Sequence, residues 1–289
     1  MAHEDIDAVT GTPTTGHEWD GIKELNNPLP RWWLWTFYAC VVWSVAYWVV
    51  YPAWPMISNF TGGVIGYSSR ASLETDLAAL HQLRGAKAAA LADASLEEIE
   101  KDPNLLAFAR AQGRAAFGDN CAPCHGSGAT GSTGYPNLND DDWLWGGSLA
   151  AIHQTIQHGA RSGDPEAREN TMLAFGKDGT LNHTQIVQVA SYVRSLSGLP
   201  VEQGVDVAAG KQIFAENCTV CHGEDAKGNQ ELGAPNLTDR IWLYGGDMAT
   251  LVETITNGRG GVMPAWTGRL DPVTIKSLAV YVHTLGGGK

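Results

Sequence analysis

Three regimes of apolar and polar spacing run along this chain. Residues 1–30 are polar, rich in Thr, Gly, Asp and Pro, and predict a mostly irregular tail. Trp32 to Tyr51 then runs twenty residues without a charge, the length at which a helix crosses a hydrocarbon core of about 30 Å. From residue 71 onward apolar positions recur at helical spacing, with no convincing strand alternation. The pattern predicts an all-α chain: one N-terminal transmembrane helix followed by helical domains.

The ends of the apolar run strengthen the reading as a span. Trp32, Trp33 and Trp35 cluster at one end, and Tyr47, Trp48, Tyr51 and Trp54 at the other, as in an aromatic belt at each interface. Pro52 and Pro55 stop the helix. No basic segment leads directly into a short apolar core, so the tail does not read as a cleavable signal peptide. Lys23 and Arg31 precede the span and the next basic residue is Arg70, which places the N-terminus on the cytoplasmic side.

Beyond a Gly- and Ser-rich exit at 56–70, Leu73, Leu77, Leu80 and Leu83 form a helical stripe. Leu91, Leu96 and Ile99 continue it more loosely, with Gly85 between the two runs. The first stripe needs a covering surface and predicts a brace against a partner subunit; a plain spacer is the alternative. The remainder is an internal repeat, from about Leu106 to Gly198 and from about Val207 to Gly287. Gly113-x-x-x-Phe117-x-x-x-Cys121 matches Gly210-x-x-x-Phe214-x-x-x-Cys218. Trp143-Leu-Trp-Gly-Gly matches Trp242-Leu-Tyr-Gly-Gly, and the closing stripe Ile186, Val189, Ala190, Val193 matches Ile275, Leu278, Ala279, Val282. A glycine one turn before each Phe would let the first and last helices of a copy cross closely. Leu199–Asp206 reads as the linker.

Each copy carries a C-x-x-C-H pentapeptide, Cys121-Ala-Pro-Cys124-His125 and Cys218-Thr-Val-Cys221-His222. This is the pattern of covalent c-type haem attachment. Two thiols one helical turn apart can each form a thioether, and the adjacent histidine falls beneath the iron. A pooled zinc site would leave the repeat without a purpose, and neither flank has the strand–helix pattern of a thioredoxin-like disulfide. Two covalently bound haem c groups are therefore expected. In bacteria this attachment takes place outside the cytoplasmic membrane, which predicts a single-pass inner-membrane protein with periplasmic haem domains.

The sixth ligand of each iron must come from elsewhere; Met/His ligation suits electron transfer. Met263, in Gly260-Gly-Val-Met-Pro264 before the last helix, is the expectation for the second haem. Met172 occupies the same relative place in the first copy, on a loop eight residues longer and without the following proline. It is the expectation for the first haem, with His153, His158 and His183 as alternatives. Met248 reads as core. Trp143 and Trp242 could edge each haem or bond a propionate. Arg161, Arg168 and Arg259 read as solvated side chains that could also pair with propionates. A net charge of −12 argues against nucleic acid, which needs a basic patch. It suits a basic protein partner, or serves solubility alone.

Each copy, with its haem motif and distal Met loop, resembles a class I cytochrome c domain. Pro136 and Pro235 resemble the proline whose carbonyl accepts the proximal histidine's second N–H. The tail Thr15-Gly16-His17-x-Trp19-Asp20-Gly21-Ile22-x-Glu24-Leu25-Asn26-Asn27-Pro28-Leu29-Pro30-Arg31-Trp32-Trp33 closely resembles the start of the dihaem subunit III (CcoP or FixP type) of cbb3-type cytochrome c oxidases. That resemblance implies a cytoplasmic tail at 1–31, the transmembrane helix at 32–54, a linker with an amphipathic helix at 55–105, and tandem cytochrome c domains at 106–199 and 200–289. It also implies an electron-transfer subunit that does no catalysis by itself. Electrons would come from a donor c-type cytochrome and pass to the monohaem cytochrome c subunit and on to the catalytic haem–copper subunit, with membrane lipid around the span. A free-standing membrane-anchored dihaem carrier and a dihaem peroxidase are the rival readings.

Overall fold

A computed structural model describes residues 5–286; the first four residues of the tail and residues 287–289 of the second repeat lie outside the described residues. The chain divides into two compact units, one ending at Leu83 and one beginning at Arg84.

In the first unit the expected irregular tail contains a β-hairpin of β1 (Thr14–Trp19) and β2 (Ile22–Leu25). Its two-residue loop is Asp20-Gly21, both residues with positive φ (50° and 83°), the conformation of a type I′ turn that matches the twist of paired strands. Lys23 ties the hairpin to Asp5 at 2.6 Å.

Helix α1 (Arg31–Val50) has twenty residues and buries none of them. At about 1.5 Å rise per residue it is about 30 Å long, and it is a candidate membrane span. Rings four residues apart stack along it, Trp33 on Phe37 and Trp43 on Tyr47. The Thr36 and Ser44 hydroxyls donate back to the Trp32 and Cys40 carbonyls, which satisfies the polar atoms inside the apolar helix. Tyr51, which precedes Pro52, is extended and ends the helix, as a residue before proline must. The chain folds back so that Val64 and Ile65 donate to the Val49 and Val50 carbonyls, two of the orphan acceptors of a helix end.

Helix α2 (Ser69–Asp93) is kinked at Gly85. Leu73, Leu77, Leu80 and Leu83 are exposed, whereas Leu91 is fully buried. In the second unit, Leu91 joins Ile99 of α3 (Leu96–Lys101), Ala109 of α4 (Pro103–Asn120), Leu149 of α6 (Leu149–His158) and Val280 of α11 (Pro272–His283) in one core. The Lys276 ammonium donates to the Ala92 and Ala94 carbonyls at 2.7 and 2.8 Å, a cation on the negative end of a helix. The looser of the two leucine runs is thus the one that packs on the cytochrome unit.

The other helices of this unit are α5 (Ala122–His125), α7 (His183–Leu196), α8 (Val207–Asn217), α9 (Thr219–His222) and α10 (Met248–Asn257). Side-chain caps start most of the long ones: Asp102, Ser148, Asn182, Asp206, Asp247 and Asp271 each accept a backbone N–H of the first turn, worth about 1 kcal/mol apiece. Pro103 and Pro272 occupy first-turn positions, where the missing N–H costs nothing.

The helices do not pair within each repeat. The last helix of the second copy, α11, packs on α4 and α6 of the first, and the last helix of the first copy, α7, packs on α8 and α10 of the second. The hydrophobic cores record the same exchange. One joins Phe117, Ala129, Ile152 and Ile156 to Ile275, Leu278, Ala279 and Val282. The other joins Ile186, Val189, Ala190 and Val193 to Ile213, Phe214, Leu251 and Ile255. Gly113 and Gly210 do sit at close helix crossings, but with the other copy's helix. A Cβ at Gly113 would overlap the Ser277 carbonyl of α11, and one at Gly210 the Gln188 carbonyl of α7.

Candidate haem centres

Both haem-attachment motifs adopt the same local geometry. Cys121 caps the end of α4 and Cys218 the end of α8; the next four residues form a single helical turn, α5 or α9. The Cys124 and His125 amides donate to the Cys121 carbonyl at 3.1 and 2.9 Å, and Cys221 and His222 repeat this on Cys218. The turn therefore brings two thiols and one imidazole to one place. Burial pushes both the Cys121 and Cys218 thiols up to about 11, so both are neutral in the folded chain, and thioether formation removes the titrating group altogether.

The proximal histidines are held by the backbone. His125 Nδ1 lies 3.0 Å from the Pro136 carbonyl and His222 Nδ1 lies 3.0 Å from the Pro235 carbonyl. Donation from Nδ1–H leaves Nε2 with its lone pair free for a metal, and this is how a ligating histidine is oriented. Burial lowers both histidines' pKa, with the proline carbonyl opposing, so the imidazoles are neutral, as ligation requires.

The surroundings fit a bound polar-edged macrocycle. The Trp242 indole N–H is buried without a hydrogen-bond partner, and its ring closes over Gly246, where any Cβ would overlap it. Trp143 takes the equivalent place over Gly147. Trp143 and Trp242 pack against the first-copy and second-copy motif cores respectively. Among the described residues no three His, Cys, Asp or Glu side chains converge to hold a bare metal ion, so the two pentapeptides do not pool into one four-thiolate site.

The candidate sixth ligands lie crosswise to the expectation. Met172 does not pack with the His125 motif; it packs against the core that takes in Phe214 and Cys218. Met263 packs against the core that takes in Phe117, Cys121 and Ala122. The expected pairs, Met172 with His125 and Met263 with His222, are therefore not the ones the fold brings together. The reason is the exchange of last helices: each Met loop precedes its helix and travels with it. Met248 is half-buried against the second core. His158 is engaged by Asp164 at 2.9 Å and Glu166 at 3.3 Å, and His183 opens α7 on the surface.

The arginines expected to be solvated are half-buried between the copies. Arg259 lies over the Tyr244 ring at 4.4 Å and Arg168 over Trp145 at 5.7 Å, and Arg161 donates to the Gly261 and Asn170 carbonyls. Gly134 donates to the Leu243 carbonyl at 2.8 Å, and Gly233 meets Trp145. These cross-copy contacts join equivalent positions of the repeat, and matched glycines at 134 and 233 were the only signal of them in the sequence. Where the copies meet, Asp140, Asp142, Pro136, Pro235 and Tyr244 line a cavity of about 310 Å³.

Comparison with known proteins follows the same division of the chain. Residues 11–58 match the N-terminal domain of cytochrome oxidase-cbb3, FixP. Residues 110–197 match cytochrome c, and residues 205–282 match cytochrome c oxidase, cbb3-type, subunit III. The cbb3-type cytochrome c oxidase subunit FixP of Bradyrhizobium sp. (strain ORS 278) is 68% identical over 287 residues, covering 99% of both chains. The FixP subunit of Bradyrhizobium diazoefficiens is 66% identical over 99% of both. The CcoP subunit of Azospirillum brasilense is 54% identical over the full length of both. The chain belongs to the FixP/CcoP family. FixP/CcoP membership makes this a dihaem electron-transfer protein with two cytochrome c domains and covalently bound haem c.

Proposed function

We propose that this chain is the membrane-anchored, electron-accepting subunit of a cbb3-type oxidase, taking electrons from a donor c-type cytochrome and delivering them towards the haem–copper catalytic subunit by way of a monohaem cytochrome c subunit. Cys121 and Cys124 hold one haem and Cys218 and Cys221 the other, with His125 and His222 as proximal ligands. The bound groups supply reversible one-electron chemistry. The chain's own residues attach them, keep each imidazole neutral through Pro136 or Pro235, and offer the Trp242 N–H to a polar edge. No catalytic residue is assigned to the chain itself.

Helix α1 is the single anchor, with its N-terminus cytoplasmic and the cytochrome unit periplasmic. Its length, its aromatic ends and Lys23 and Arg31 on the near side support this. A net charge of −12 favours capture of a cationic donor. The exposed Leu73–Leu83 stripe packs on a neighbouring oxidase subunit. One observation carries the reading over a free-standing carrier: the tail and span, residues 11–58, match the family as well as the cytochrome domains do, and a carrier needs only an anchor there. Affinity purification of the tagged full chain in mild detergent tests it. Oxygen-reducing activity should co-purify, and recovery of the chain alone would refute the assignment.

A further inference from the structure

We propose that the loop after helix α1, residues 52–67, does not run out into water but lies in the membrane interface, with Trp54, Ile57, Phe60, Val64 and Ile65 set among lipid headgroups and the first acyl carbons. The inference rests on the reading of α1 as a span and not on the place proposed in the oxidase.

The sequence carries it first. Between Arg31 and Arg70 the chain has no Asp, Glu, Lys, Arg or His, although α1 already ends at Val50. A segment bound for water has no reason to avoid charge for so long after the helix. Its apolar side chains are also turned outward: Trp54, Met56, Ile57, Phe60, Val64 and Ile65 are all exposed. Single exposed apolar residues are ordinary, but this many on one short loop make a patch of the kind that meets another apolar surface.

The geometry sets the depth. Val64 N donates to Val49 O at 3.0 Å and Ile65 N to Val50 O at 3.3 Å, so the chain leaves α1 and returns to the level of its last turn. Gly63 permits the approach: its φ is +68°, and a Cβ there would overlap the Val50 carbonyl. A twenty-residue span reaches the edge of the hydrocarbon core at its ends, and the return puts Val64 and Ile65 at that edge. Two ring pairs tie the loop to the same level, Trp54 with Trp48 at 4.8 Å and Tyr67 with Tyr51 at 5.7 Å, the residue types of an interfacial belt. The backbone is partly closed on itself. Met56 N donates to Asn59 O at 2.6 Å, Thr61 N to Trp54 O at 2.9 Å and Trp54 N to Thr61 Oγ1 at 3.1 Å, while Pro52 and Pro55 have no N–H to satisfy. Irregular backbone is not tolerated in the lipid core, but the interface supplies water to the remaining groups, and apolar faces there sink about 5–10 Å. Lipid is the occupant because the patch continues the lipid-facing end of the span and offers no charged residue to a protein neighbour. Charge returns only at Arg70, in the first turn of α2. Such a foot fixes the depth and tilt of the single span.

The test reads the surroundings of Ile57 in the full-length holo-protein, extracted in mild detergent with whatever subunits accompany it and reconstituted in phosphatidylcholine vesicles. Four cysteines are taken up by the haems, so Cys40→Ala with Ile57→Cys leaves one free thiol for a fluorescent label. Each intensity is read against the same variant in quencher-free vesicles, which cancels quenching by the haems. Lipid with a nitroxide near the headgroup should remove most of the emission, lipid with a nitroxide near the chain end should remove less, and aqueous iodide should remove little. Strong quenching by iodide overturns the proposal, because the loop is then in water. Protection from both lipid and iodide also overturns it, because a protein surface then covers the loop. Phe60→Cys in the same background gives a second position should Ile57→Cys fail to accumulate. Alkaline carbonate separates this result from the reading of the span. Release of the chain from membranes refutes the span and the loop's place with it, whereas a retained chain with an iodide-quenched label refutes the loop alone.

Discussion

A double-mutant cycle between Phe117 and Tyr281 measures the helix exchange directly. Phe117 lies on α4 at 2% exposure, and its ring meets Tyr281 of α11 with centroids 5.4 Å apart and planes at 57°. The second lobe repeats this with Tyr192 of α7 and Phe214 of α8, at 5.4 Å and 60°. Such tilted aromatic pairs contribute about 0.5–1.5 kcal/mol beyond the area they bury. Phe117→Leu keeps most of the buried volume and should cost about 1–1.5 kcal/mol, a fall of roughly 2–6 °C in melting temperature for a unit of about 200 residues. Paired with Tyr281→Leu, the cycle should return a coupling of about 0.5–1.5 kcal/mol.

The control is the same cycle with Tyr192→Leu. In a repeat that closed on itself, α7 would face α4, and Tyr192 would be the partner of Phe117. In the exchanged fold these two residues belong to different cores and should add to within about 0.5 kcal/mol. Denaturant unfolding of the detergent-solubilised holo-protein supplies the energies, with an unchanged slope across the set as the condition for comparing midpoints. Coupling of Phe117 to Tyr192, with none to Tyr281, would refute the exchanged packing.

Two further outcomes follow from the geometry. Burial, aided by the nearby Asp239 and Asp140, raises the Asp142 carboxyl to about 6 from the usual 3.8. Its contribution to stability is therefore fully present below pH 4 and is lost as pH rises through 6. Asp142→Asn should raise the melting temperature at pH 7.5 by the equivalent of about 1–2 kcal/mol, the full shift being discounted for the group's remaining solvent contact. It should do little at pH 4, and an equal gain at both pH values would rule this account out. His158→Gln should leave both haems low-spin in ferric spectra, because His158 is held by Asp164 and Glu166; a high-spin signal from one haem would identify it as a ligand after all.

The sequence legibly contained the parts and concealed how they join. The attachment turns were readable because the covalent chemistry demands a fixed spacing of Cys121, Cys124 and His125. The span was readable because twenty uncharged residues admit few other uses. The hairpin was signalled by Trp19-Asp20-Gly21-Ile22, an Asp-Gly loop between short strand formers, but the polar strands around it lack the alternation that marks a buried sheet. The partners of α7 and α11 were not readable at all. Their stripes, Ile186-Val189-Ala190-Val193 and Ile275-Leu278-Ala279-Val282, are nearly interchangeable. A hydrophobic stripe says which face is buried but not which of two similar surfaces buries it.

The feature that does separate the two topologies is chain connectivity. Helices α7 and α8 are joined by a short connection centred on Leu199–Asp206, and elements linked this closely usually pack together. In this fold they do, with Gly210 set against Gln188, and the outer pair α4 and α11 then closes around them with Gly113 against Ser277. A repeat closed on itself would instead direct α7 back to α4 and α8 forward to α11, leaving the connection between α7 and α8 without a contact to stabilise. Nesting the pairs has a consequence for the haem centres. Each attachment turn belongs to one copy while the helix and Met loop that close over it belong to the other. Neither copy contains all the elements of a complete lobe, so a cut in the linker or a loss of α11 acts on the lobe of His125, which lies well before either of them in the chain.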